Sequence, residues 1–80
     1  MKSDELFRQC GYNLTDDEHN ILFEKVTTRF IYQIIFIVNM QSVNVTSWDR
    51  EQFEYVPGFS LDRNLITAID SKIDELGWSN

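Results

Sequence analysis

The chain is poor in the residues from which most active sites and most scaffolds of its size are built. It has one cysteine, Cys10, so no internal disulfide can form. A short chain without a disulfide framework fits a reducing compartment. One histidine, His19, leaves no imidazole pair for a zinc site. The three glycines, Gly11, Gly58 and Gly77, stand alone, so no glycine-rich phosphate loop is present. Basic residues number seven against thirteen acidic ones, a formal charge of −6. That surface repels phosphate, which disfavours ordinary direct nucleic-acid binding and anionic membranes alike. The most apolar run, Phe30 to Val38, contains Gln33 and is about half the length of a membrane helix. The N-terminal Met1-Lys2-Ser3-Asp4-Glu5 has no apolar signal-peptide core. The expectation is a cytoplasmic protein, in which the Asn13-Leu14-Thr15 and Asn44-Val45-Thr46 sequons are never glycosylated.

What is present suffices for a core. Apolar residues make up 42% of the chain, and 80 residues form one domain, expected over 1–80. Ser3 reads as an N-cap, followed by Asp4 and Glu5 at the positive end of a helix dipole. Leu6, Phe7 and Cys10 share one face, and Gly11 stops a short helix over 4–10. The polar run 15–20 reads as a loop, and Ile21 to Val26 as a strand with a turn at Thr27-Thr28.

Phe30 to Val38 gives the strongest strand signal, dense in β-branched and aromatic residues. One face carries Phe30, Tyr32, Ile34, Phe36 and Val38; the other carries Ile31, Gln33, Ile35 and Ile37. Both are apolar, so the strand is expected to be central and covered on both sides. If helices cover only one face, one of these sets stays open. Val43 and Val45 mark a third strand. Phe53 and Tyr55 allow an edge strand, closed by a Pro57-Gly58 turn.

Ser60 is placed to cap a second helix. Leu61, Leu65, Ile69, Ile73 and Leu76 recur at near-helical spacing, Gly77 ends the helix, and Trp78 folds back on it. The order predicts an α+β fold: an antiparallel three- to four-stranded meander sheet with a short N-terminal and a longer C-terminal helix. The N-terminal helix belongs either beside the C-terminal one or on the opposite face.

The search for chemistry ends in bland alternatives. A Cys10–His19 dyad lacks a third group to orient the imidazole; a structural cysteine and a loop histidine account for both. Asp16, Asp17, Glu18 and His19 are consecutive, whereas calcium loops alternate their ligands around a glycine. Asp70 and Asp74 lie one turn apart on an exposed helix face. No catalytic, cofactor or metal residue is assigned. Trp48, Phe53, Tyr55 and Phe59 form an aromatic-rich region with two readings, a recognition anchor or the edge of the core, and the second is preferred.

Several segments are similar to those of a known group. Glu5-Leu6-Phe7, Gly11-Tyr12, Glu24-Lys25, Ile34-Ile35-Phe36 and Leu65-Ile66-Thr67-Ala68-Ile69 resemble small proteins encoded in phages and prophages of low-GC Gram-positive bacteria. So does Lys72-Ile73-Asp74-Glu75-Leu76-Gly77-Trp78, whose closing Glu75-Leu76-Gly77-Trp78 is the most distinctive piece. Val43 to Ser60 departs from the group. The group is largely uncharacterised, so the resemblance implies a setting, a phage protein in a bacterial cytoplasm, and no active site. Small acidic phage proteins without catalytic motifs often act as inhibitors of host defence or nucleic-acid enzymes, as many anti-CRISPR proteins do.

The expected function is therefore a non-enzymatic protein-binding module whose partner is a host protein with a basic surface. If it works by charge mimicry, its contacts are Asp16, Asp17, Glu18, Asp70, Asp74 and Glu75. The alternative is a self-associating structural or virion-assembly accessory, a homo-oligomer that buries its spare sheet face.

Overall fold

The computed structural model describes residues 2–16 and 20–78, the side chain of Asp16 excepted. The chain runs α1 (Ser3–Gln9), β1 (Asn13–Asp16), β2 (Ile21–Val26), β3 (Phe30–Ile37), a 3-10 turn (Val38–Met40), β4 (Ser42–Asp49), β5 (Glu54–Pro57) and α2 (Arg63–Glu75). The strands form one antiparallel meander in the order β1-β2-β3-β4-β5. The α+β reading holds, with five strands where three or four were expected. The extra one is β1, whose polar Asn-Leu-Thr-Asp carries no alternation to announce it. It pairs through an irregular register with β2.

Both helices lie on one face of the sheet. Ile21, Phe23, Ile34 and Phe36 point toward them and join Phe7, Tyr12, Leu65 and Ala68 in the core. Phe7 stacks on Phe23 at 3.9 Å between ring centroids, and Phe36 meets both rings edge-on at 6.0 Å. Such aromatic contacts add to burial, the dominant stabilising term. The N-terminal helix takes the first of its two expected places, against α2.

That arrangement corrects the expectation that β3 is covered on both sides. Its Ile34 and Phe36 are fully buried, whereas Ile31, Gln33, Ile35 and Ile37 are only partly so. Two helices on one face leave no element among the described residues to lie on the other.

The helix ends also differ from the sequence reading. Ser3 does not cap α1; it is a buried first-turn residue, and Lys2 occupies the cap position without a side-chain bond. Ser3 instead donates its backbone N–H to Glu75 Oε2 at 2.6 Å, so α2 supplies the acceptor for the start of α1. At α2 the cap is Asp62 rather than Ser60, accepting the Leu65 N–H at 2.8 Å. Pro57 closes β5, and Gly58 follows at φ +72, a left-handed geometry that favours glycine.

Candidate binding face

Strand registers organise the helix-free face into rows. Val26, Ile31, Trp48 and Tyr55 are direct cross-strand partners and form an apolar row across β2 to β5. The next row is Glu24, Gln33 and Thr46, ending on Pro57. Leu22, Ile35 and Asn44 form a third. At about 4.8 Å per strand and 3.3 Å per residue, the face measures on the order of 20 by 20 Å, the scale of one side of a small specific interface.

The polar row is internally ordered. Thr46 Oγ1 donates to Gln33 Oε1 at 3.4 Å, and Gln33 Nε2 donates to Glu24 Oε2 at 2.9 Å. The chain fixes which way the Gln33 amide points and holds the Glu24 carboxylate on the surface. Asp16, paired with Leu22 at its Cα, has a side chain outside the described residues. Among the described side chains, Glu24 is the one charged group that the registers place on this face. Trp48 and Tyr55 meet edge to face at 4.8 Å. Their rings, with Glu24, Ile31 and Gln33, line an open depression of ≈ 350 Å³.

A buried carboxylate sets the end of the sheet where these aromatics sit. Asp49 Oδ2 accepts from Arg29 at 3.2 Å, and its Oδ1 accepts the backbone N–H groups of Glu51 and Gln52 at 2.9 and 3.1 Å. This ties the β4–β5 hairpin to the β2–β3 turn. Burial pushes the Asp49 carboxyl up, but the Arg29 bond and the two N–H groups outweigh it and hold it below the usual carboxylate value. Phe53 in the hairpin has φ 55 and is 78% exposed; Val26 and Tyr55 are also exposed. Of the four aromatics read as core edge, Phe59 fits, meeting Tyr32 at 5.1 Å. Trp48, Phe53 and Tyr55 do not: two stand on the open face and the third projects from the hairpin.

Of the acidic residues named from sequence, the side chains described are those of Asp70, Asp74 and Glu75, all on α2, and Asp74 and Glu75 border one open depression with Asp4 and Glu5. Asp16 ends β1, and Asp17 and Glu18 lie outside the described residues, as does His19. Asp70 and Asp74 are exposed on α2. Glu75 is engaged internally, with Ser3 N–H and with Lys72, whose Nζ also pairs with Asp4 at 3.4 Å. The Ser3 N–H is the main cause that holds the Glu75 carboxyl below its usual value.

The closing motif thus has a structural role at each position. Glu75 receives α1, Leu76 packs on the core, Gly77 adopts φ +71, and Trp78 lies 6.1 Å from Phe36.

Since the folded carboxyls of Asp49 and Glu75 are depressed, their stabilisation is present above the unfolded values near 4 and is lost as pH falls through the folded ones. Thermal midpoints should therefore drop on acidification below about pH 4.5. Glu75→Gln should have a shallower acid limb, measured by circular dichroism against pH.

Behind the helices' edge, Cys10, Tyr12, Lys25, Tyr32, Phe59 and Asp62 border a second cavity of ≈ 660 Å³. Burial, and then the Asp62 charge, push the Cys10 thiol up against the opposing effect of Lys25. The thiol is thus less of a nucleophile than a free cysteine. Burial likewise pushes Tyr12 up to about 12. Its neutral form is favoured by folding, so stability should fall as pH rises from about 10 toward 12. Near-ultraviolet titration should show a late tyrosine signal that Tyr12→Phe removes.

No helix among the described residues is long and apolar enough to cross a membrane. Comparison with protein-family models, with curated proteins and with solved structures gave no match.

Proposed function

We propose that this chain is a non-enzymatic protein-binding module and that the helix-free sheet face is its binding surface. The observation that carries the reading is the row Val26–Ile31–Trp48–Tyr55, apolar and aromatic, with no helix over it. A small protein gains nothing for its own core by placing tryptophan and tyrosine there, and these residues dominate binding hot spots. The net charge of −6 favours a partner with a basic surface. The resemblance to phage-encoded proteins supplies the setting, an inhibitor of a bacterial host enzyme acting in the cytoplasm.

The test is affinity capture from nuclease-treated host lysate with wild type, Ile35→Glu and an Asp70→Lys/Asp74→Lys variant, all verified as folded. A stoichiometric partner lost with Ile35→Glu and kept by the helix variant is the expected result. Loss only with the helix variant would move the binding surface to α2 and favour charge mimicry.

A further inference from the structure

We infer that the depression between Glu24, Trp48 and Tyr55 is a pocket for an arginine side chain of the partner protein. The inference rests on the binding face proposed above and names the chemistry it recognises. Glu24 is the single described charged side chain that the registers place on that face, and it stands at the pocket rather than at the rim. The remaining lining residues are Ile31, Gln33, Trp48 and Tyr55, none of them basic, so the carboxylate has no cation within the pocket. A carboxylate offers about four acceptor positions, and Gln33 takes one of them.

The Thr46–Gln33–Glu24 chain serves as an orienting device. Gln33 accepts from Thr46 through its oxygen, which turns its NH2 group toward Glu24. The carboxylate is held before any partner arrives, which lowers the ordering cost of binding. Trp48 and Tyr55 supply aromatic surface beside it. A carboxylate flanked by aromatic rings matches a planar guanidinium, which donates paired hydrogen bonds from its edge and stacks through its face. A lysine ammonium would satisfy the charge but neither the plane nor the paired bonds. An arginine here also joins the two properties of the protein otherwise separate, its acidic balance and its apolar face.

The test is an NMR titration of the isotope-labelled protein with a short arginine–glycine peptide and its lysine and citrulline counterparts. The arginine peptide should shift the Trp48 indole and Gln33 side-chain amide signals saturably. The citrulline peptide should not, and lysine should bind more weakly. Glu24→Gln, isosteric and uncharged, should weaken arginine binding about tenfold or more, the scale of a lost charge-assisted hydrogen bond. Asp70→Asn/Asp74→Asn should leave it unchanged.

Equal binding by Glu24→Gln, equal binding of lysine, or shifts confined to the acidic surface of α1 and α2 would overturn the pocket. So would sedimentation showing that the free protein is a dimer with the Trp48 indole already protected, since a second copy would then occupy the face. If the pocket fails while Ile35→Glu still loses the captured partner, the binding face stands and only its arginine specificity is wrong. If Ile35→Glu keeps the partner, the face itself is wrong.

Discussion

Ile34→Glu should unfold the protein, and Ile35→Glu should leave it folded. The two residues are neighbours on β3 with the same side chain, and they differ only in which way the pleat points them. Ile34 has no exposed surface and sits among Phe7, Phe23 and Phe36. A carboxylate there has no partner and costs several kcal/mol, a large part of the total that a small domain holds. Ile35 faces away from both helices, where a carboxylate stays hydrated and should cost about 1 kcal/mol or less. Thermal unfolding followed by circular dichroism separates the outcomes: no cooperative transition for the first variant, a near-native midpoint for the second. A native-like Ile34→Glu protein would mean the helices cover the other face.

The second large effect is expected at Phe7. It is the one aromatic that α1 places in the core, stacked on Phe23 and edge-on to Phe36 and Tyr12. Phe7→Ala removes that ring from a site with no exposed surface, and such truncations cost about 3–5 kcal/mol. Because α1 is only seven residues long, it cannot persist by its own propensity once its anchor is lost. Denaturant unfolding should show a strongly lowered midpoint. The amide protection of α1 should vanish before that of β3. A loss below about 1 kcal/mol would show that Phe7 is not a core anchor.

Much of the fold was legible in the chain because apolar periodicity reports burial directly. The Phe30–Ile37 strand, the Leu65–Ile73 helix and the glycine stops at Gly11 and Gly77 follow from local pattern and backbone sterics. Two features were not local. Strand β1 has one apolar residue, Leu14, among polar ones and exists because β2 offers it an edge, which tertiary pairing decides and composition does not. The cap at Ser3 comes from Glu75, so no window of sequence contains both halves of it.

The helix-free face proposed for binding was legible in part. The alternation of β3 had already set Ile31, Ile35 and Ile37 apart as one of two sets left open by single-sided helices. Their neighbours were not foreseeable, since only the register of β4 and β5 brings Trp48 and Tyr55 into line with Ile31. Reading both faces of β3 as covered assumed that an apolar strand face implies an intramolecular lid. Here the described residues provide a lid for one side, and the apolar content of the other is the strongest reason to assign it to a partner. Charge alone does not distinguish Glu75, which bonds the Ser3 N–H and pairs with Lys72, from Asp70 and Asp74 on the same helix.

The central claim is that the helix-free face meets the partner. Its most direct test is methyl NMR of the isoleucine-labelled protein with and without the captured partner. Ile31 and Ile35 should broaden or shift, while Ile34, Ile69 and Ile73, on the helix side, should stay in place. Unchanged Ile31 and Ile35 signals together with perturbation along α2 would contradict the account and return the binding surface to the acidic helix.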